Sequence, residues 1–189
     1  MDEEISVNEL LNEDQVVITK VISTHYIINL DTTILDSSEY RNVFSILRDA
    51  AEFDKITLII DTDGGCVNTM LQFYNYLLHT KAKTTAEIYT AVSAGAFIAM
   101  CCDNIIFKDF STMMIHQAYQ IVSGDLFEFQ ERLAFLIKQN KLISECVYSG
   151  FLTKDEISKI NAGQDIWIDQ KSGIARLKHF KSIKQRLLK

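Results

Sequence analysis

An α/β fold around a buried parallel sheet is what this sequence predicts, and three observations lead there. Lys55 opens the run Ile56-Thr57-Leu58-Ile59-Ile60, which is continuous rather than alternating, as in a strand covered on both faces. Met70, Leu71, Tyr74, Leu77 and Leu78 then recur at helical spacing, and Glu87 to Val92 reads as a further strand. Strand, helix and strand in that order make a right-handed crossover unit.

The remaining elements follow the same periodicities. Val16 to Thr19 and Tyr26 to Leu30 are short β-branched runs that read as strands. Asp36 and Glu39 form a capping-box pattern before Tyr40, Val43, Phe44 and Leu47, predicting a helix from about Ser37 to Ala51. Ser93 begins a small-residue helix running to Met100. Two more strands are expected, one at Ile105-Ile106-Phe107 and one at Met113-Met114-Ile115-His116. From Leu126, the residues Phe129, Leu133, Leu136, Ile137, Asn140, Ile143 and Val147 mark one face of a long helix, about 22 residues or about 33 Å. A helix of that length is expected to project from so small a domain.

Composition narrows the function. With 189 residues, 48% of them hydrophobic, the chain suits a single domain over 1–189. A net charge of −6 excludes a general nucleic-acid binder, which needs a basic footprint to displace counterions. Six acidic residues crowd 1–15, while seven Lys and Arg follow from Lys171 into a basic tail at 179–189; both ends are expected to be solvated. Cys66, Cys101, Cys102 and Cys146 form no CxxC pair, which predicts reduced thiols in a cytoplasmic protein. The longest apolar run, Ala91 to Cys102, is too short to span a bilayer. Neither a P-loop nor metal-ligand spacing is present, so no cofactor and no metal are expected.

Three residues are candidates for chemistry, and each also has an ordinary reading. Ser93 lies where a strand gives way to a helix, as an N-cap serine would, yet the same junction holds a hydroxyl near free helix N–H groups. His116 sits inside an apolar strand and Asp165 lies between Gly163-Gln164 and Ile166-Trp167-Ile168; alone, these are a satisfied core or rim histidine and a turn aspartate. Gly64-Gly65 follows the buried strand at its carboxyl end, where open α/β sheets collect ligands. The pair is either a tight turn or a bare backbone that offers N–H groups to a substrate.

Taken together, Ile59-Ile60-Asp61-Thr62-Asp63-Gly64-Gly65, Val92-Ser93-Ala94-Gly95-Ala96-Phe97, Met114-Ile115-His116-Gln117 and Asp165-Ile166-Trp167-Ile168 resemble, in order and spacing, four signature stretches of the Clp protease proteolytic subunit. Ser93 and His116 are 23 residues apart, and His116 and Asp165 are 49 apart. The resemblance covers about Tyr26 to Lys178 and implies the ClpP/crotonase fold, with stacked β/α repeats and the long helix as a protruding handle. It implies a serine endopeptidase in which Ser93 is nucleophile, His116 general base and Asp165 the residue that orients the histidine. Amides of Gly64 and Ala94 would form the oxyanion hole. It further implies a homo-oligomer of seven-membered rings, paired or single, that encloses its sites and receives unfolded chains from a Clp-type ATPase.

Several positions depart from that pattern. Asp63 replaces the proline of the glycine turn, Thr57 and Ile59 replace docking tyrosines, and Gln164 replaces the arginine that couples paired rings. The segment from Ala118 to Gly124, where substrate would bind as a strand, has one glycine rather than two. Such divergence also suits a phage prohead-maturation protease, and a crotonase-like acyl-CoA enzyme would share the fold without needing the three residues.

Overall fold

The computed structural model describes residues 22–118 and 125–187. The expected strand at Val16 to Thr19, the acidic segment 1–15 and residues 119–124 lie outside these. Five strands form one sheet in the order β1 (His25–Leu30), β2 (Lys55–Thr62), β3 (Lys83–Val92), β4 (Asn104–Ile115) and β5 (Ile166–Asp169). The first four pair in parallel and β5 is antiparallel to β4. Helices α1 (Arg41–Asp49), α2 (Val67–His79) and α3 (Ala94–Met100) fill the connections between the parallel strands. This is the α/β architecture expected of the ClpP-like fold.

One face of the sheet carries most of the core. Ile56, Leu58 and Ile60 of β2 and Ala86 and Ile88 of β3 are fully buried against Phe73, Leu77 and the apolar residues of α3. The opposite face is less covered than the continuous run of β2 suggested: Thr57 and Ile59 are half-buried, and Ile27 and Tyr89 are exposed. A run without polar interruption signals apolar character on both faces, but burial depends on what packs there. Gly95 lets α3 sit close to the sheet, since a Cβ there would lie 2.6 Å from Thr62 Cγ2.

The two strands expected at 105–107 and 113–116 are one strand, β4. Its register with β3 jumps from Ile88↔Phe107 to Thr90↔Thr112, so Lys108 to Ser111 loop out opposite Tyr89. Phe110 takes a positive φ of 61° in this excursion and is 97% exposed. That polar interruption split the pattern in sequence without ending the strand. The helix expected from Ser37 begins as a 3-10 turn, Ser37–Tyr40, in which the Glu39 N–H donates to the Asp36 backbone carbonyl. The expected capping box is therefore absent there; one forms instead at Thr153 and Glu156, at the start of α5 (Lys154–Asn161).

The long helix is α4 (Leu126–Tyr148), 23 residues capped by the Asp125 carboxylate. Its first turns are exposed, and Asn140, Ile143, Ser144, Val147 and Tyr148 toward its end pack on the domain. After α5 and β5 come α6 (Gln170–Leu177) and α7 (Ile183–Leu187), which the periodicity did not reveal. The basic tail is not simply solvated: Ser182 and Ile183 are buried, Lys184 pairs with Asp103, and Arg186 donates to the Val147 carbonyl. Long basic side chains bury their stems while their charge finds acceptors.

Candidate active site

Two ladder registers bring the candidate residues together. Val92 pairs with Met114, and Ser93 continues this contact by donating its N–H to the Met114 carbonyl at 2.9 Å. The chain turns sharply at Ser93 (φ 55°, ψ −114°) and enters α3, where Phe97 N–H donates to the Ser93 carbonyl. A non-glycine residue in such a conformation costs of order 1–3 kcal/mol. The turn lifts the Ser93 hydroxyl off the end of β3, beside the first free amide of α3.

His116 is the first residue beyond β4, rather than inside the strand. Its Nε2 lies 2.7 Å from Ser93 Oγ, within range for a hydroxyl donating to an imidazole nitrogen. Ile115 pairs with Ile166 across the antiparallel ladder, so Asp165 falls opposite His116. The Asp165 Oδ1 to His116 Nδ1 distance is 3.9 Å, too long for a direct hydrogen bond. The Asp165 side chain is 50% exposed and that of His116 28%.

The glycine turn is packed against the serine. A Cβ on Gly64 would lie 2.7 Å from Ser93 Cβ and 2.9 Å from the Val92 carbonyl, and Gly64 itself has φ 98°. Only glycine suits both the space and the backbone. The Gly64 N–H donates to Thr62 Oγ1 at 3.1 Å, and its carbonyl accepts from Ile34 N–H. The Gly64 amide is thus engaged within the turn, whereas Gly65 joins Ser93, Ala94 and His116 in lining the adjoining pocket. Asp63, which stands in place of the proline of this turn, is exposed.

That pocket continues away from Ser93 between α2, α3 and the ends of α4 and α5. Met70, Phe97, Ile143 and Ile160 give it apolar walls, and Asn140, Ser144, Tyr148 and Asn161 add polar groups. Sequence reasoning placed Asn140 on the helix face and missed the others as site residues. Its position among apolar neighbours was the available signal.

Cys101 and Cys102 are buried, as core packing predicts. Burial raises both thiols, Cys102 to about 12, which keeps them protonated and unreactive. Cys66 is half-buried and Cys146 exposed. Among the described residues, no group of three or more His, Cys, Asp and Glu side chains is placed to hold a metal, and no helix is long and apolar enough to cross a membrane.

Fold and site together define an α/β protein with a serine hydroxyl paired to an imidazole at the carboxyl end of its parallel strands. The family model described as Clp protease matches residues 9–174. The chain belongs to the Clp protease family and is a ClpP-type peptidase. No curated protein matches the chain.

Proposed function

We propose that this chain is a serine endopeptidase in which Ser93, His116 and Asp165 form the catalytic triad. The observation that carries the reading is the 2.7 Å contact between Ser93 Oγ and His116 Nε2, at a turn tied to the neighbouring strand. His116 takes the hydroxyl proton as Ser93 Oγ attacks the peptide carbonyl. The imidazolium then gives that proton to the leaving amine as the C–N bond breaks, leaving an ester on Ser93. Water attacks the ester, His116 accepts its proton and returns it to Ser93 Oγ as the acyl group departs. Asp165 favours the tautomer with hydrogen on Nδ1 and stabilises the imidazolium across 3.9 Å.

The oxyanion is held by the Ala94 amide, at the first position of α3, with the Gly65 amide as its partner. Gly65 takes the place expected of Gly64 because the Gly64 N–H is already committed to Thr62 Oγ1. Gly64 serves by omission of a side chain. Amides aimed at developing charge supply a large part of acyl-transfer catalysis.

The peptidase works in the cytoplasm as a ring-shaped homo-oligomer that admits unfolded chains delivered by a partner ATPase. Exposed Phe127, Leu133, Phe135, Ile137 and Leu142 on α4 support assembly, since contiguous apolar surface marks an interface. Labelling tests the chemistry. A fluorophosphonate should modify the assembled protein at Ser93, and the Ser93→Ala protein should stay unlabelled. Native mass measured alongside should be several times that of one chain; labelling at another residue would overturn the assignment of Ser93.

A further inference from the structure

A strap between β1 and the 3-10 turn, residues 32–36, runs along the glycine turn and is hydrogen-bonded to it. The Gly64 carbonyl accepts from the Ile34 N–H at 2.8 Å, and the Ile34 carbonyl accepts from the Cys66 N–H at 2.8 Å. Ile34 is only 1% exposed, so these bonds are shielded from water. Thr69 Oγ1 donates to the Leu35 carbonyl at 2.7 Å, which fastens the strap to α2.

Thr62, the buried last residue of β2, closes the arrangement. Its hydroxyl donates to the Thr32 carbonyl at 2.6 Å and accepts from the Gly64 N–H at 3.1 Å, so one oxygen links strap and turn. Its methyl carbon would lie 2.6 Å from a Cβ on Gly95, which places α3 directly against it. Asp63 is exposed and has no ring to fix its φ; the turn is held by these bonds instead. A trans peptide is planar, with its C=O and N–H pointing in opposite directions. The Gly64 carbonyl points at Ile34, so the Gly65 N–H points away from the strap, and Gly65 lines the pocket it shares with Ser93 and Ala94.

We propose that Thr62 is a positioning residue for acyl transfer: through the strap and the Gly64-Gly65 peptide, its hydroxyl keeps the Gly65 amide aimed at the oxyanion formed when Ser93 attacks. This inference rests on the peptidase reading of Ser93. Thr62 itself touches no reacting atom. Its effect falls on the step in which charge develops, because a misaimed amide loses oxyanion stabilisation and leaves substrate binding alone. Valine has the shape of threonine but would leave the Gly64 N–H and the Thr32 carbonyl without their partner in a buried place, and the turn would shift to satisfy them. Serine keeps the hydroxyl and omits only the methyl.

Cleavage of a fluorogenic peptide by the full-length protein tests this. Thr62→Val should lower kcat about tenfold and change KM by less than about twofold, a fraction of what loss of an oxyanion donor costs. A peptide aldehyde gives a second readout: Ser93 Oγ adds to its carbonyl carbon, His116 takes the hydroxyl proton, and the carbonyl oxygen becomes the oxyanion. Its inhibition constant should rise by about the factor that kcat falls. Thr62→Ser should keep kcat within about twofold of the parent, although the lost methyl lowers its thermal midpoint. If Thr62→Val fails to fold, Thr69→Val takes its place; it frees the strap at Leu35 and should show the same loss confined to kcat, at about threefold. Parental kcat in the folded valine variant, or an equal loss in Thr62→Ser, with Ser93 still labelled by fluorophosphonate, would reduce Thr62 to packing and overturn the inference alone. A parent protein that neither cleaves nor labels would overturn it together with the peptidase reading.

Discussion

The two halves of the candidate triad are built differently. Ser93 and His116 stand at the ends of adjacent parallel strands, joined by backbone hydrogen bonds and a 2.7 Å side-chain contact. Asp165 arrives only after α4 and α5, from the short strand β5, and stays 3.9 Å from the imidazole and half exposed. The first pair is anchored in the buried sheet. The third member precedes β5, the four-residue edge strand of the same sheet, and its side chain is more exposed than that of His116.

The largest effect should come from the anchored pair. Ser93→Ala should lower kcat about 10⁴-fold or more, since removal of a nucleophile leaves only binding and oxyanion stabilisation. Its thermal midpoint should stay close to that of the parent, because the alanine replaces a half-buried hydroxyl. Asp165→Asn should cost less, about 10- to 100-fold in kcat/KM, as a carboxylate at that distance and exposure couples weakly. A loss equal to that of Ser93→Ala would mean that Asp165 is drawn into direct contact during turnover, which would erase the contrast.

Gly64→Ala probes the packing beneath the pair. The added Cβ meets Ser93 Cβ and the Val92 carbonyl at a positive φ, so unfolding free energy should fall by about 1–3 kcal/mol. Activity should fall with it, measured as kcat/KM at a temperature where the variant is folded. Retention of both would show that the turn can move without disturbing Ser93.

The smallest effect concerns the outer scaffold that carries Asp165. Arg176 of α6 donates to both Glu156 oxygens at 2.9 and 2.7 Å and to the Phe151 carbonyl. The Arg176 hydrogen bonds hold the Glu156 carboxyl down to about 2. A depressed carboxyl contributes stability that is present above its unfolded value, near 4.5, and is lost as pH falls toward 2. Glu156→Gln should therefore reduce stability by about 1–2 kcal/mol at pH 7, with the difference from the parent shrinking between pH 4.5 and 2. Urea unfolding at several pH values checks this; an unchanged difference at pH 3 would exclude the pair as its source.

Much of the site was legible before the fold was known, because its residue types sit at element boundaries that periodicity reveals. Ser93 follows an apolar strand and precedes a small-residue helix, and both elements form as expected. That the Gly64 amide is engaged within the turn was not legible. It turns on which amide Thr62 Oγ1 captures, a contact with no signature in residue type. Elements α5, β5 and α6 are short, and their few apolar residues give too little periodicity to separate them from loop.

The sequence by itself determined the α/β class and the parallel sheet, because local periodicity carries that information, and it made Ser93, His116 and Asp165 candidates through their resemblance to a recurring pattern. Tertiary structure decided how far apart those residues stand, that the Gly64 amide is engaged within its turn, and that the basic tail docks on the domain. Those outcomes follow from strand register and from competition for hydrogen-bond partners between segments distant in the chain. Neither is written in any single stretch of residues.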